Sequence, residues 1–379
     1  MASPMLTRLK IEPTPWIDDH RVTFVWKGKT APRLVGDFTG WDTGEPIVMQ
    51  KAGAGFWTYQ LEFHNDAYIE YGFQRGEESI PDPFNPRQTS NGIGGFNNYF
   101  SMPKYKASRL SRRKRKIPHG TIKQYNLATD NLIAGKMRAV SLYQPPVSEA
   151  VPLVVVWDGQ DYQHRIHLDH IVDNLIDKGK IQPVALAFVE NAGQDLRNLE
   201  YTCNDATLGF LMMQVVSLAR KELNLIDVKA FPGVYGVAGA SMGGLMALYT
   251  GMRFPQIFGR VISQSGAFSL GNFDTAVYDL VYKRHIHTLQ VYMDVGVYDL
   301  KGLLETNQRM QKLLTERGCS IVYREYHAGH NYPAWRDDIW RGFEALYGNG
   351  KSKAKKRRSG CNMAPESLIG GINPPRRTA

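Results

Sequence analysis

A chain of 379 residues, 43% of them hydrophobic, can bury one large core or two domains; its three cysteines (Cys203, Cys319, Cys361), odd in number and without CxxC spacing, argue against a disulfide framework and a structural zinc site. The opening MASPMLTRLKIEPTPW lacks the apolar stretch of a secretion signal and no run approaches a membrane span, so a cytoplasmic chain is expected. The net charge of +10 points to no specific nucleic-acid partner: residues 104–118 hold +8 of it and residues 351–379 hold +7, which leaves a mildly acidic remainder at −5.

Residues 1–103 read as a small all-β unit. Runs at 22–26, 33–36, 57–63, 69–73 and 98–100 alternate or are β-rich, with Gly, Pro, Asp and Asn between them, and this spacing predicts a sandwich. Trp41 and Trp57 are candidates for a sugar platform, although tryptophan more often fills a core. Residues 104–118, KYKASRLSRRKRKIP, read as an exposed connector with a protease-sensitive middle.

From 119 to 349 strands alternate with helices, which predicts an α/β layer fold with a mostly parallel sheet and flanking helices. Strands are expected at 119–128, 136–144, 151–157, 183–189, 233–238, 259–264, 288–294 and 320–326, and helices at 167–179, 207–223, 242–253, 275–284, 303–317 and 335–347. A short turn around Asp130-Asn131 gives the sheet an antiparallel start. From 350 onward the basic, Gly/Pro/Ser-rich tail cannot bury enough apolar surface to fold.

The stretch 233–255, GVYGVAGASMGGLMALYTGMRFP, organises the rest: a valine-rich run enters Gly239-Ala240-Ser241-Met242-Gly243 and leaves it as a helical pattern. Such a strand, sharp turn and helix raises a serine hydroxyl above the sheet edge and aims the Met242 N–H at a developing oxyanion. A serine needs a base, and the base needs an acid. The histidine belongs in a loop after the last strand, where His330 follows a glycine and is preferred to His327; His285 and His287 precede a strand, at the wrong end of the sheet. The acid belongs beyond the penultimate strand, which favours Asp299 over Asp294, a residue inside that strand. A second oxyanion donor is expected from the turn after 151–157, at the N–H of Gln160 or Asp161, and Asp158-Gly159 is either part of that loop or simply a turn.

Asp158-Gly159-Gln160, Arg197 with Glu200-Tyr201, Gly239-Ala240-Ser241-Met242-Gly243-Gly244, Ser263-Gln264-Ser265-Gly266, Gly296-Val297-Tyr298-Asp299 and Gly329-His330 together resemble the putative-esterase family of α/β-hydrolases, in its enterochelin esterase-like branch. The segment from Val35 to Asn85 is similar to the early-set immunoglobulin-like domains that precede some esterases. The resemblance implies hydrolysis of a small-molecule carboxylic ester, anionic or aromatic, through an acyl-Ser241, with His330 as base, Asp299 as its orienting acid, Met242 and Gln160 or Asp161 as oxyanion donors, and no metal or organic cofactor. It places Asp158, Arg197, Glu200 and Tyr201 toward the substrate; an ion pair between Arg197 and Glu200 explains that pair of residues equally well. Gln214 stands where many relatives carry an acid, and the basic connector and tail are not family features. Acyl transfer by the same serine, and a non-catalytic carbohydrate-binding or scaffold protein, are the alternatives.

Overall fold

Residues 4–41, 44–92, 94–283 and 286–349 are described by a computed structural model of the chain; His285, Cys361 and the tail from 350 lie outside the described residues. The eight strands of the central sheet are β1 (Thr121–Ala128), β2 (Met137–Gln144), β3 (Leu153–Trp157), β4 (Ala185–Val189), β5 (Tyr235–Ala240), β6 (Phe258–Gln264), β7 (Gln290–Gly296) and β8 (Ser320–Tyr326). They lie in the order β1-β2-β4-β3-β5-β6-β7-β8. The β1–β2 and β2–β4 pairs are antiparallel and all later neighbours are parallel. Parallel strands need crossovers over the faces of the sheet, so the inner strands are buried on both sides and read as continuous apolar runs.

Alternation along those strands divides the core. Leu153, Val155 and Trp157 pack on the face covered by α3 (Asp205–Phe210, continued by Leu211–Val215 and Val216–Glu222), α4 (Met242–Arg253), α5 (Ala276–Lys283) and α6 (Leu303–Glu316). Val154 and Val156 pack on the opposite face against α1 (Leu168–Asp177) and α7 (Tyr332–Tyr347). A further short helix, α2 (Gln194–Tyr201), follows β4 and reaches the ends of β3 and β5 through Arg197, which bonds Asp158 and Ala240 O.

The N-terminal residues form two antiparallel sheets around a separate core. Strands 16–18, 21–27, 56–62 and 50–53 make one sheet; strands 47–48, 33–36, 68–75, 96–101 and 88–90 make the other, with 78–80 paired at the side of 68–75. Phe24, Tyr71 and Phe100 meet edge to face between them. Trp57 packs against this core and donates to Gly28 O at 3.1 Å, and Trp41 donates to Asp37 Oδ1 at 2.9 Å, so both indole N–H groups are committed within the chain. Both β sheets and the central sheet belong to one compact unit ending at Gly348.

Residues 104–118 keep their basic side chains exposed, but their backbone is fastened to α1. Buried Asn174 donates to Leu110 O at 2.6 Å and to Arg112 O at 3.0 Å, His119 Nε2 donates to Lys114 O at 2.7 Å, and the Tyr105 hydroxyl bonds Asp337. The connector supplies carbonyls that a buried amide needs. Among the described residues no helix is long and apolar enough to cross a membrane, and Cys203 and Cys319 are free thiols.

Candidate active site

Ser241 ends β5 and begins α4 with φ 58° and ψ −122°, a left-handed backbone that a non-glycine residue adopts only when its surroundings enforce it. The enforcement is visible: Ser241 N–H donates to Gln264 O at 2.9 Å, and Ser241 O accepts from Leu245 N–H at 3.0 Å and from Ala267 N–H at 3.1 Å. A Cβ on Gly239 would strike the backbone of Gly243, and one on Gly243 would strike the Asp158 carboxylate, so the turn closes only with both glycines.

Across β6, β7 extends into the turn that carries Asp299, and β8 extends into the loop that carries His330. His330 Nδ1 lies 2.6 Å from Asp299 Oδ1. That oxygen also accepts from Leu300 N–H at 2.8 Å, and Oδ2 accepts from the Ser265 hydroxyl at 2.7 Å. Trp335, the fourth residue of α7, donates from Nε1 to Ser265 Oγ at 3.0 Å, and its ring stands at 87° to that of His330 with centroids 4.9 Å apart. The carboxylate is thereby fixed on both oxygens, and the imidazole is left with Nε2 for a proton from a hydroxyl. Asp294, one turn of chain earlier, is fully buried against Gln264 Nε2 (3.1 Å); burial first, then the charge of Asp338, push its carboxyl far above the usual range. His327 is turned outward, 2.6 Å from Asp66 and stacked on His64.

The expected oxyanion donors separate into two kinds. The N–H groups of Met242 and Gln160 lie in the first turns of α4 and of the short helix Gly159–Asp161, where an amide has no acceptor one turn back in its own helix, whereas Asp161 N–H is spent on Asp158 O at 3.0 Å. Asp161 as a donor is therefore corrected: it closes the first turn after Asp158, a backbone use invisible in residue type.

Four residues were expected toward the substrate, and the structure distributes them differently. Asp158, 1% exposed, takes Arg197 in a bidentate pair (Nε to Oδ1 2.7 Å, Nη2 to Oδ2 2.6 Å) and Asn191 Nδ2 at 2.7 Å. Arg197 Nη2 also donates to Ala240 O, the carbonyl just before Ser241, at 3.2 Å. Burial works against the charged guanidinium, but Asp158 outweighs it and holds Arg197 protonated. Glu200 turns away and binds Arg138 through both oxygens at 2.7 and 2.8 Å, so no pair forms between Arg197 and Glu200. Tyr201 is buried, and its hydroxyl accepts from Asp158 N–H at 3.1 Å. Glu200 and Tyr201 are corrected from substrate contacts to supports of the strand ends.

Ser241, His330 and Arg197 line one cavity of about 150 Å³ together with Arg165, Asn331, Tyr332 and Trp335. Its remaining lining is from the N-terminal sheets: Glu70, Ser90, Asn91, Gly92 and Asn97. Arg165 joins the two, donating to Ser90 O at 2.7 Å while its guanidinium lies 3.8 Å over the Tyr332 ring. Sequence reasoning missed Glu70, Asn97 and Arg165, which follow no motif; Ser265 and Trp335 had a signal, since a buried acid behind a histidine needs donors of its own.

An eight-stranded, mostly parallel sheet with a strained serine at the β5–α4 turn defines an α/β-hydrolase fold. The chain belongs to the family described as "Putative esterase", whose pattern matches residues 133–346. It is 27% identical over 237 residues to the iron(III) enterobactin esterase of Dickeya dadantii, covering 58% of this chain and 54% of that protein. It is also 27% identical over 247 residues to the iron(III) salmochelin esterase of Escherichia coli O6:H1, covering 59% and 57%. These matches span little more than half the length of the two relatives. The enterobactin esterase of Shigella flexneri, crystallised in the presence of enterobactin, shares the fold at a TM-score of 0.69 and 20% identity, over 86% of this chain and 92% of that one. The ferric enterobactin esterase of Salmonella typhimurium does so at 0.70 and 22%, over 88% and 95%.

Proposed function

We propose that this protein is a serine carboxylic ester hydrolase of the enterochelin-esterase type. Ser241 attacks the ester carbonyl while His330 Nε2 takes its proton, the N–H groups of Met242 and Gln160 hold the oxyanion of the tetrahedral intermediate, and the returning proton expels the alcohol from that intermediate and leaves the acyl-serine. Water, deprotonated by the same imidazole, then releases the acid. The observation that carries this reading is the 2.6 Å bond between His330 Nδ1 and Asp299 at the edge of the cavity that Ser241 lines.

The substrate proposed is a small aromatic ester with acidic hydroxyls, of the catecholate-serine kind that the names of the relatives indicate. Supporting this are Arg165 and Arg197, which line one cavity with the rings of Tyr332 and Trp335. The cytoplasm is the compartment proposed, on the two free thiols.

The test is Ser241→Ala. Its kcat on p-nitrophenyl acetate is expected to fall by roughly 10⁴-fold or more with the melting temperature unchanged, and a fluorophosphonate should label the parent at Ser241 and leave the variant unmodified. Equal rates for parent and variant would rule the reading out.

A further inference from the structure

The loop that carries His330 is gripped from two sides, and the established chemistry of such sites accounts for one only. On the first side, Tyr298 N–H donates to Ala328 O at 3.2 Å and Asp299 takes the imidazole. On the second side lies the N-terminal β unit. Tyr68 N–H donates to His327 O at 3.0 Å, and the His64 ring is stacked on His327 at 3.7 Å. Between these contacts and the cavity sits Asp37, a carboxyl that the hydrolytic mechanism does not use.

Asp37 is 2% exposed and its two oxygens are filled by donors from three places. Oδ2 accepts from Glu70 N–H at 2.8 Å and from Asn331 Nδ2 at 3.2 Å; Oδ1 accepts from Trp41 Nε1 at 2.9 Å. Asn331 is the residue after His330, and its own oxygen caps α7 by accepting from Ala334 N–H at 3.0 Å. Gly329 is the residue before His330, and a Cβ there would run into the Asp37 carboxyl, so the carboxyl packs directly on that backbone. Both chain neighbours of His330 thus rest on one side chain 294 positions away from Asn331.

We infer that Asp37 is a positioning residue for His330: it fixes the Gly329–Asn331 backbone so that the imidazole, bound to Asp299 through Nδ1, keeps Nε2 turned to Ser241. This rests on the function proposed above. Its physical basis is that Asp299 restrains the ring at one atom only, whereas contacts at the residues on either side of His330 restrain the backbone that carries the ring. Burial pushes the Asp37 carboxyl up to about 7 and Glu70 beside it up to about 8. A sequence selected for stability alone would replace so costly a pair with apolar side chains.

The experiment compares Asp37→Asn, Asn331→Asp and Ser241→Ala, each full length, by the rate of fluorophosphonate capture, by its end point, and by kcat and KM on p-nitrophenyl acetate. Asn331→Asp keeps an acceptor for the α7 cap and loses the donor to Asp37, so it breaks the contact without unravelling the helix. Asp37→Asn and Asn331→Asp are each expected to lower the capture rate and kcat by about 10- to 100-fold, with KM changed by less than about 3-fold and a full end point. A purely structural Asp37 would lower the end point or the melting temperature and leave the capture rate per competent molecule at the parental value, which overturns the inference. Ser241→Ala separates the two levels: if it is captured like the parent, the hydrolase reading has failed; if it is inert while Asp37→Asn and Asn331→Asp react at the parental rate, only the positioning role has failed.

Discussion

The cavity around Ser241 is built from two regions that differ in how their residues reach it. The residues of the hydrolase sheet arrive by local means: Ser241, Asp299 and His330 stand within a few residues of a strand end, and Arg197 and Trp335 stand in the first turns of helices. Their separation in space is the spacing of strands in one sheet. The residues of the N-terminal sheets arrive by docking, since Glu70 and Asn97 lie in the middle or beginning of strands whose own hydrogen bonds are satisfied within a different core. The contrast teaches that the chemistry can be encoded by a strand-turn-helix signal, while its surroundings depend on an interface with no signal of its own.

The sharpest way to break this contrast is within one strand extension. Asp299→Asn removes the acceptor of His330 Nδ1 and favours the wrong tautomer; kcat on an aryl ester is expected to fall by roughly 10³- to 10⁴-fold with KM little changed. Asp294→Asn, five positions earlier, replaces a carboxyl that burial already drives toward its neutral form. Its kcat should stay within a few-fold of the parent. Steady-state kinetics of the two variants side by side decides the matter, and similar losses in both would show that the acid is misassigned.

The same contrast marks what the residues alone could reveal. The eight central strands begin and end within about two residues of the runs read from the sequence, and the inner ones, such as β3 and β4, are plainest because strands buried on both faces of a parallel sheet are continuous apolar segments. The order Ser, Asp, His is legible for the same reason, since each follows a strand. Arg197 was placed beside Glu200 by sequence nearness, yet its partner Asp158 is 39 positions away and the partner of Glu200, Arg138, is 62 away. Opposite charges in short range carry no information about which of several carboxylates burial will leave unpaired. Helix α2 carries no apolar stripe to mark it, since QDLRNLEY holds few apolar residues and leaves Leu196 and Leu199 exposed. Asp37 and Glu70 are unreadable for a further reason: in a strand-rich unit an acid normally faces water, and nothing in residue type marks one that Trp41, Asn97 and the His330 loop will enclose.

Arg197 tests whether a residue of the sheet region serves the substrate or the scaffold. Arg197→Ala leaves the Asp158 carboxylate buried with Asn191 as its remaining side-chain partner and frees Ala240 O beneath Ser241. A loss of about 3 to 5 kcal/mol in urea unfolding is expected, together with a fall in kcat. A residue that met only the substrate would raise KM and leave the unfolding midpoint in place, and that result would return Arg197 to a purely recognitional role.

The smallest expected effect concerns Glu70 and reads the docked region through its protonation. Burial first, with the charge of Asp37 adding to it, raises the Glu70 carboxyl to about 8 from an ordinary value of 4.5, against the opposing pull of Asn97 and Arg165. Between those two values the folded chain holds a proton that the unfolded chain has released, so stability from this group is complete below pH 4.5 and is lost as pH rises through 8. An amide has no proton to lose. Glu70→Gln should therefore gain on the parent as pH rises from 5 to 9, by on the order of 2 kcal/mol in the difference between their unfolding free energies. Parallel stability curves across that range would mean that water reaches Glu70 freely, and that the N-terminal sheets form an open rim to the cavity and not part of its enclosed lining.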